Sequence, residues 1–371
     1  MRPKLLITTD CFLPRWDGIA RFLTELIPHL MRNFDITVVA PDFKGEFKEI
    51  PGIRVIRFPL TRIRFGDIHF TWFHHRRMRK ILREHDLVVN QTIGPIGMNA
   101  IKHSHALDRK VVSYVHNIEW ELASKSLKHF NKLARVVVKK LARSLYNKCT
   151  KLLVPSAEVE DLLTLNGVRV KKQVVHLGVD TEKFSAPLVK SKVKELLGIP
   201  RRKKVIGYVG RLAREKNLIT LKKAFLRVSR WHPDSMLLII GSGIESELLQ
   251  GKNIVLAGSR KDVPLLLQAM DIYVLPSLTE TSSLSTMEAM ASGLAVVVTP
   301  VGSLREYIVE GKNGMFFPRK DVKNLAENLD VLLRNTPLRA ELGRNARKTI
   351  VKHYHWDDTT KNIRRALLEE I

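Results

Sequence analysis

The sequence predicts an α/β protein built as two Rossmann-like domains that face each other across a cleft, and three observations carry that prediction. Short apolar runs alternate with helix-period segments from one end of the chain to the other, the pattern of a doubly wound parallel sheet. The 371 residues exceed what one core normally organises and suit two domains of ordinary size. The alternation changes character once, between about Phe184 and Lys204, where polar and basic stretches surround a small helix at Val189 to Leu197 and Pro200. The linker belongs there, so the first domain is expected over 1–184 and the second over 185–355.

Lys4 to Thr8 reads as the first strand, and Cys11 to Gly18 as a loop feeding a helix from about Ile19 to Met31, in which Phe22, Leu23, Leu26, Ile27 and Leu30 fall at helical spacing. Asp35 to Ala40 and Ile53 to Phe58 are strands; a helix at Met78 to Arg83 leads to strands at Leu87 to Val89 and Val111 to Val115, the last ending at His116. Ser124 to Lys151 holds nine Lys or Arg and no acidic residue. It reads as one basic amphipathic helix, with Lys128, Lys132, Arg135, Lys139 and Arg143 on one side and Phe130, Leu133, Val137, Leu141 and Leu145 on the other. A strand at Leu152 to Ser156 and a helix at Ala157 to Leu165 follow. Beyond the linker come strand Val205 to Val209, loop Arg211 to Asn217, helix Leu218 to Trp231 and strand Met236 to Ile240. Helices at Val322 to Arg334, Leu338 to His353 and about Asp358 to Glu370 end the chain.

The most informative stretch is Leu275 to Gly302. An apolar strand, Ile272 to Leu275, enters a polar loop with Glu280, the loop opens a helix near Ser285 that ends at Gly293, and a buried-looking strand, Ala295 to Thr299, follows. A loop at the carboxyl end of a strand and the amino end of a helix is where α/β sheets bind phosphorylated ligands. Glu280 and Glu288 lie eight residues apart across it.

Composition sets limits. No apolar run approaches the roughly 18 to 20 residues of a spanning helix, and the amino terminus reads as a strand and not as a signal peptide. Two cysteines, Cys11 and Cys149, supply no disulfide framework, so a reducing, cytoplasmic setting is expected. The net charge of +26 is concentrated: residues 51–150 carry 20 Lys plus Arg against 6 Asp plus Glu. Such a surface suits nucleic acid, anionic lipid or a phosphorylated substrate, or is a Lys/Arg-rich thermophile surface.

Several chemistries lack their residues. There is no Asp-x-Asp to anchor a metal-nucleotide complex, no zinc spacing among the histidines and cysteines, and neither a Gly-x-x-x-x-Gly-Lys-Ser/Thr loop nor a Gly-x-Ser-x-Gly elbow. Gly241-Ser-Gly243 is explained equally by a turn and by phosphate binding. Arg211 follows an apolar strand and Lys216 precedes the next helix; the pair is either a diphosphate clamp or two solvated cations. Gly18 either admits a ligand to the backbone or makes a turn. His116 sits where the predicted cleft would be, though a lone His is more often a structural hydrogen bonder. Glu280 and Glu288 taken singly are as readily capping and surface carboxylates.

Together these residues resemble the GT4 family of GT-B glycosyltransferases over nearly the whole chain. Glu280 to Glu288 is similar to the family's Glu-x7-Glu motif, followed by Glu-Ala-Met-Ala-Ser-Gly293; Val209-Gly-Arg211 with Lys216 looks like its diphosphate clamp; Asp10-x-Phe-x-Pro14 with Gly18, Val154-Pro-Ser156 and Gly178-Val-Asp180 are further landmarks. The resemblance implies an acceptor-binding first domain, a donor-binding second domain and a C-terminal helix, about 356–371, packed back on the first. It implies a retaining hexosyltransferase of the EC 2.4.1 type that needs no metal. Arg211 and Lys216 would neutralise the leaving nucleoside diphosphate, Glu280 would bind donor-sugar hydroxyls, and Glu288 would hold the ribose. Backbone amides around Ser283, Leu284 and Ser285, with Gly18, would contact the donor, and His116 would lie beside the reacting carbon. Thr281-Ser282-Ser283 stands where the family often has Gly-Phe-Gly, and Asp17 where the first of two glycines is usual; those departures bear on which sugar is used.

In this family acceptors bind the first domain, where the basic excess lies. Trp72 and Phe73 immediately precede a cluster with Arg76, Arg77, Arg79 and Lys80, a composition that suits a membrane interface. Lys128, Lys132, Arg135 and Lys139 add a second contact, unless that helix packs its apolar face on the core and leaves its basic face in water. The expected partners are therefore a nucleotide sugar, GDP-mannose before UDP-glucose, a lipid or glycolipid acceptor and the anionic inner face of the cell membrane. A soluble acceptor of the sucrose or trehalose type is the alternative. A nucleic-acid-binding protein would leave Arg211, Lys216, Glu280 and Glu288 without a role.

Overall fold

The computed structural model describes residues 2–15, 17–48, 50–65, 68–126 and 131–371. The chain forms two compact units, Met1–His176 with Thr359–Ile371, and Leu177–Asp358. Each is organised on a parallel sheet covered by helices, which is the predicted fold class.

In the first unit the sheet comprises β1 (Lys4–Thr8), β2 (Asp35–Pro41), β3 (Arg54–Phe58), β6 (Leu87–Asn90), β7 (Val111–Tyr114), β8 (Lys151–Val154) and β9 (Lys171–Val174), in the order β3-β2-β1-β6-β7-β8-β9. An antiparallel hairpin of β4 (Leu60–Phe65) and β5 (Ile68–Thr71) is set apart from it. The order reverses at β1, whose Thr8 is in register with Val39 of β2 on one side and Asn90 of β6 on the other. Chain leaving β1 and β6 therefore opens a crevice at the carboxyl edge, the usual position of a ligand site in a doubly wound sheet.

The second unit repeats the scheme with β10 (Lys204–Val209), β11 (Ser235–Ile240), β12 (Ile254–Gly258), β13 (Ile272–Leu275), β14 (Ala295–Val298) and β15 (Met315–Phe316), in the order β12-β11-β10-β13-β14-β15. Its reversal lies between β10 and β13, where Ile206 pairs with Ile272. Central strands such as Ile272–Leu275 and Ala295–Val298 are buried at every position. Covered on both faces, they read as unbroken apolar runs and not as alternation.

Several expectations need correction. The boundary falls at 176/177, not at 184, because Phe184 packs into the core of the second unit. A helix over Pro95–Ala106 stands between the expected strands at Leu87–Val89 and Val111–Val115, where no element was expected. Pro95 occupies the first helical position, where a missing N–H costs nothing, and a Cβ on Gly97 would stand 1.7 Å from the Thr92 carbonyl oxygen. The helix before β6 starts at His75, three residues earlier than the periodicity indicates, and the β4–β5 hairpin lies where no element was expected. The single basic helix is two, Glu119–Ser126 and Asn131–Tyr146; Lys128 and Phe130 lie outside the described residues.

Only the carboxyl half of the second of these helices packs inward, through Ala142, Leu145 and Tyr146. In its amino half Leu133, Val136 and Val137 are 63%, 50% and 55% exposed. The reading in which the whole apolar face is core-packed is thus excluded. The last helix, Trp356–Leu368, straddles the division, and its part beyond Thr359 belongs to the first unit. Lys151, 1% exposed in β8, holds it there through Glu369 at 3.0 Å and Glu370 at 2.7 Å. A buried ammonium survives only when paired and hydrogen-bonded.

Glu119 links the two helices of the basic segment by accepting from the Tyr146 hydroxyl at 2.5 Å. Burial pushes its carboxyl up to about 7, against the opposing hydrogen bond from Tyr146. The folded state therefore binds this proton more tightly than the unfolded chain. Its contribution is full at low pH and is lost as pH rises through about 7. Between pH 5 and pH 8 the unfolding free energy is expected to fall by up to about 3 kcal/mol more in this protein than in Glu119→Gln. Urea denaturation of both at the two pH values measures it, and parallel pH profiles would contradict it.

Candidate active site

The candidate residues form two groups, one in each unit. In the second unit, Arg211 and Lys216 lie in the loop after β10, which contains a short 3-10 turn at Arg214–Lys216. Glu280 lies in the loop after β13. These strands are neighbours at the reversal, so the two loops run side by side and are tied together. Leu278 N donates to the Glu215 carbonyl at 2.7 Å. Asn217, held in the left-handed region at φ +53, donates its amide to the Pro276 carbonyl at 3.2 Å. Lys216 Nζ donates to Glu280 Oε1 at 2.6 Å, and Ser277 Oγ donates to the same oxygen at 2.6 Å.

Arg211 is engaged within its own loop, donating from Nη2 to Glu215 Oε1 at 2.7 Å. Glu215 is buried. Each cation thus has a carboxylate partner that directs it: Arg211, with 34% of its side chain exposed, is turned toward Glu215, and Lys216 toward Glu280. Neither Glu215 nor Ser277 is singled out by the sequence: the first sits inside Arg-Glu-Lys and looks like surface, the second is one of many loop serines.

Glu288 is 1% exposed on the helix Leu284–Ala291, whose residues from Thr286 to Ala291 are all buried. It is not the surface carboxylate that a single-residue reading allows. Ser283 caps this helix, its Oγ accepting from Thr286 N at 3.3 Å, while Ser285 Oγ accepts from the Tyr273 hydroxyl at 2.8 Å. The Ser283 side chain thus serves the helix, and the first-turn amides near Leu284 and Ser285 stand at its positive end, where N–H groups lack intrahelical acceptors. Thr281, Ser282 and Ser283 all have negative φ, so this loop does without the left-handed conformations that glycines would supply.

Two glycines hold these loops close. A Cβ on Gly302, at φ +54, would stand 2.0 Å from the Glu280 carbonyl oxygen; one on Gly241, at φ +134, would stand 1.9 Å from that of Gly210. The Gly241-Ser-Gly243 pattern accordingly answers a close approach of backbone to backbone at the ends of β10 and β11.

In the first unit His116 lies just beyond β7. Its ring sits between Phe22, edge-on at 4.8 Å, and Tyr114 at 4.7 Å, and Nε2 is 2.7 Å from Gln91 Oε1. Burial pushes the imidazole down to about 3, so it is neutral at physiological pH. Gly18 opens the helix Gly18–Leu30, capped by Asp17, whose Oδ1 accepts from Ile19 N at 3.0 Å and Ala20 N at 2.9 Å. A Cβ on Gly18 would meet nothing within 4 Å, so no packing within this unit requires glycine there. Asp10 caps the helix Pro95–Ala106, accepting from Ile96 N and Gly97 N as well as from Thr92 Oγ1.

Of the interface candidates, Trp72 and Phe73 are 61% and 48% exposed, and Arg76, Arg77, Arg79 and Lys80 are exposed on the helix His75–Arg83. Arg77 also lies 5.1 Å over the Phe58 ring and donates to the Arg57 carbonyl. Lys132 is exposed and Lys139 half-buried. Arg135 is tied to Glu121 at 2.5 Å, which the helical wheel does not show because Glu121 belongs to the preceding helix. Among the described residues, no group of three or more His, Cys, Asp or Glu is placed to hold a metal ion, and no helix is long and apolar enough to cross a membrane.

Two Rossmann-like sheets with basic and acidic side chains gathered at the strand reversal define a GT-B glycosyltransferase. The profile of Glycosyltransferase Family 4 matches residues 16–183 and that of Glycosyl transferases group 1 matches 189–349, and the chain belongs to this family. It is 26% identical to a GDP-mannose-dependent alpha-(1-6)-phosphatidylinositol monomannoside mannosyltransferase of Mycolicibacterium smegmatis, over 95% of each chain. It is also 26% identical to the alpha-monoglucosyldiacylglycerol synthase of Acholeplasma laidlawii, over 92% of this chain and 91% of that one. Among solved structures, HepE of Anabaena in complex with UDP-glucose superposes with a TM-score of 0.80 at 19% identity, covering 99% of this chain and 100% of that one. Sucrose-phosphate synthase of Thermosynechococcus elongatus does so at 0.80 and 16%, over 99% of each.

Removing Lys216 leaves the Glu280 carboxylate, only 9% exposed, without its cation. Lys216→Met is expected to lower the unfolding free energy by about 3 kcal/mol, and Lys216→Met combined with Glu280→Gln to restore most of it. A double-mutant cycle in urea checks this; additive losses would show that the pair is not coupled.

Proposed function

We propose that this glycosyltransferase is a retaining hexosyltransferase that moves mannose from GDP-mannose to a lipid-linked or glycolipid acceptor while resting on the inner face of the cell membrane. The observation that carries the donor half of this reading is the junction of Lys216, Glu280 and Ser277 at the β10/β13 reversal, beside the amino end of the helix Leu284–Ala291. Cations and a helix terminus at one carboxyl edge suit a diphosphate. Glu280 takes sugar hydroxyls and the buried Glu288 the ribose. GDP-mannose is favoured over UDP-glucose because two relatives, at 26% and 24% identity, are named for it.

The acceptor oxygen attacks the anomeric carbon on the face from which the nucleoside diphosphate departs. The bond from that carbon to the phosphate oxygen breaks, and the same phosphate takes the acceptor's proton. Arg211 and Lys216 stabilise the departing charge, which gives the reaction no need for a metal. His116, a neutral ring, contacts the donor sugar beside the reacting carbon without setting a positive charge against an oxocarbenium-like state. The open space at Gly18 is what close approach of a ligand to the backbone would need.

Attachment rests on Trp72, Phe73 and the exposed arginines of the helix His75–Arg83, together with Leu133, Val136 and Val137 beside Lys132. Exposed apolar side chains rimmed by cations match an anionic bilayer surface, each cation adding about 1 kcal/mol.

A panel of nucleotide sugars scored by nucleoside diphosphate release, with lipid extracts as acceptor, is expected to show turnover with GDP-mannose that persists in EDTA; no turnover or hydrolysis with any sugar nucleotide would refute the assignment. Arg211→Ala and Lys216→Ala should each lower kcat/KM by about 100-fold or more. In flotation assays the protein should bind anionic vesicles at low salt, and Leu133→Ser, Val136→Ser and Val137→Ser together should weaken binding while the donor KM holds. Failure of the unaltered protein to float would point to a soluble acceptor.

A further inference from the structure

The helix His75–Arg83, read above as the membrane-facing element, is joined to the helix Pro95–Ala106 by a pair of histidine rings. His75 Nδ1 stands 3.1 Å from His103 Nε2, with ring centroids 5.3 Å apart and planes at 81°. The same His75 nitrogen stands 2.9 Å from Oδ1 of Asn99, which is 2% exposed. The His75 ring also stacks on Phe73, centroids 5.7 Å apart and planes 9° from parallel. Contact with His103 therefore restrains one of the two exposed aromatic side chains that lead the basic cluster.

A hydrogen bond between two imidazole nitrogens needs a proton on one and a lone pair on the other. Whichever of the two holds the proton, a first added proton goes to the donor ring's outer nitrogen and leaves the bond intact. A second takes the lone pair inside the contact and sets two cations face to face. The surroundings oppose that step as well: burial first, then the His75 ring, Arg79 and Lys102, hold His103 below its ordinary value. Arg79 belongs to the helix of His75 and Lys102 adjoins His103, both exposed, and among the described residues no carboxylate acts on the ring. Other elements packed on the helix Pro95–Ala106 set no charge against it there; His69 of β5 accepts from Arg15 Nη1 at 3.1 Å, and His74 turns its ring to Phe58 at 4.8 Å.

We infer that the His75–His103 contact is a proton-controlled clasp that regulates docking on an anionic bilayer: closed at neutral pH, it opens on double protonation, releasing Phe73 and adding two cations to the exposed surface of Arg76, Arg79 and Lys80. The inference rests on the membrane reading of this helix. Docking and protonation then favour each other, because a negative surface concentrates protons and prefers the doubly charged form. The clasp needs no particular tautomer, only that two rings share one contact.

Two measurements on the full chain test it. In protein labelled with 15N-histidine, the signals of the pair are recognised by their loss in His75→Ala and in His103→Ala. The pair is expected to take up its two protons in separate steps, the second at lower pH than the ring left in either single variant titrates. Independent titrations, unchanged by loss of the neighbour, overturn the clasp. In flotation with phosphatidylglycerol–phosphatidylcholine vesicles, each added cation tightens binding about fivefold. Between pH 7.5 and pH 5 the unaltered protein should therefore gain on the order of ten-fold or more in affinity beyond the gain of His75→Ala combined with His103→Ala. Binding that strengthens equally in both proteins overturns the inference and leaves the membrane reading standing. No flotation of the unaltered protein at either pH removes the membrane reading, and the regulation inferred from the clasp with it.

Discussion

The hydrogen-bonded ion pair between Lys216 and Glu280 is the interaction on which the rest of the second unit's site depends. It joins loops leaving adjacent strands, β10 and β13, that are more than sixty residues apart in the chain (|i−j| = 64). Strand order reverses between them, so the two loops have no helix crossing over their shared edge and can meet. The pair is nearly out of water, and Ser277 adds a second donor to the same carboxylate oxygen. A carboxylate so held is aimed by its partners, and a sugar-binding group needs a fixed direction.

The same logic separates the working charges of this very basic protein from its solvated ones. Arg211 has Glu215, Lys216 has Glu280, Lys151 has Glu369 and Glu370, and Lys194 has Asp271, all through short contacts; at least one partner is buried in each except Lys216–Glu280, where both are partly buried. The excess that produces the net +26 lies elsewhere, on exposed positions such as Arg76, Arg79 and Lys80. Burial demands pairing because a lone charge in low dielectric is expensive. Exposed cations need no partner inside the fold and remain available to an anionic surface.

Legibility followed the range of the interaction. The Leu275–Gly302 stretch could be read because its strand, loop, capped helix and strand are consecutive, and each announces itself by composition. The helix Pro95–Ala106 was not read, and its Gly97 answers to the Thr92 carbonyl beneath it, a contact that the local sequence does not announce. The basic segment misled in the same way: its wheel is amphipathic over its whole length, yet only the carboxyl half meets the core.

By itself the sequence determined the two-sheet α/β class, the positions of most strands, the glutamates and cations of the second unit and the family they mark. Each of these is written in contiguous residues or in periodicity, which local propensity and burial alone enforce. Tertiary structure alone decided that Glu215 turns Arg211, that Gly302 presses on the Glu280 carbonyl, that Leu133, Val136 and Val137 stay in water, and that Gln91 faces His116 across β6 and β7. These contacts join residues 4 to 25 positions apart or on different strands. Their partners are chosen by which strands lie side by side, and a linear sequence carries no direct signal of that adjacency.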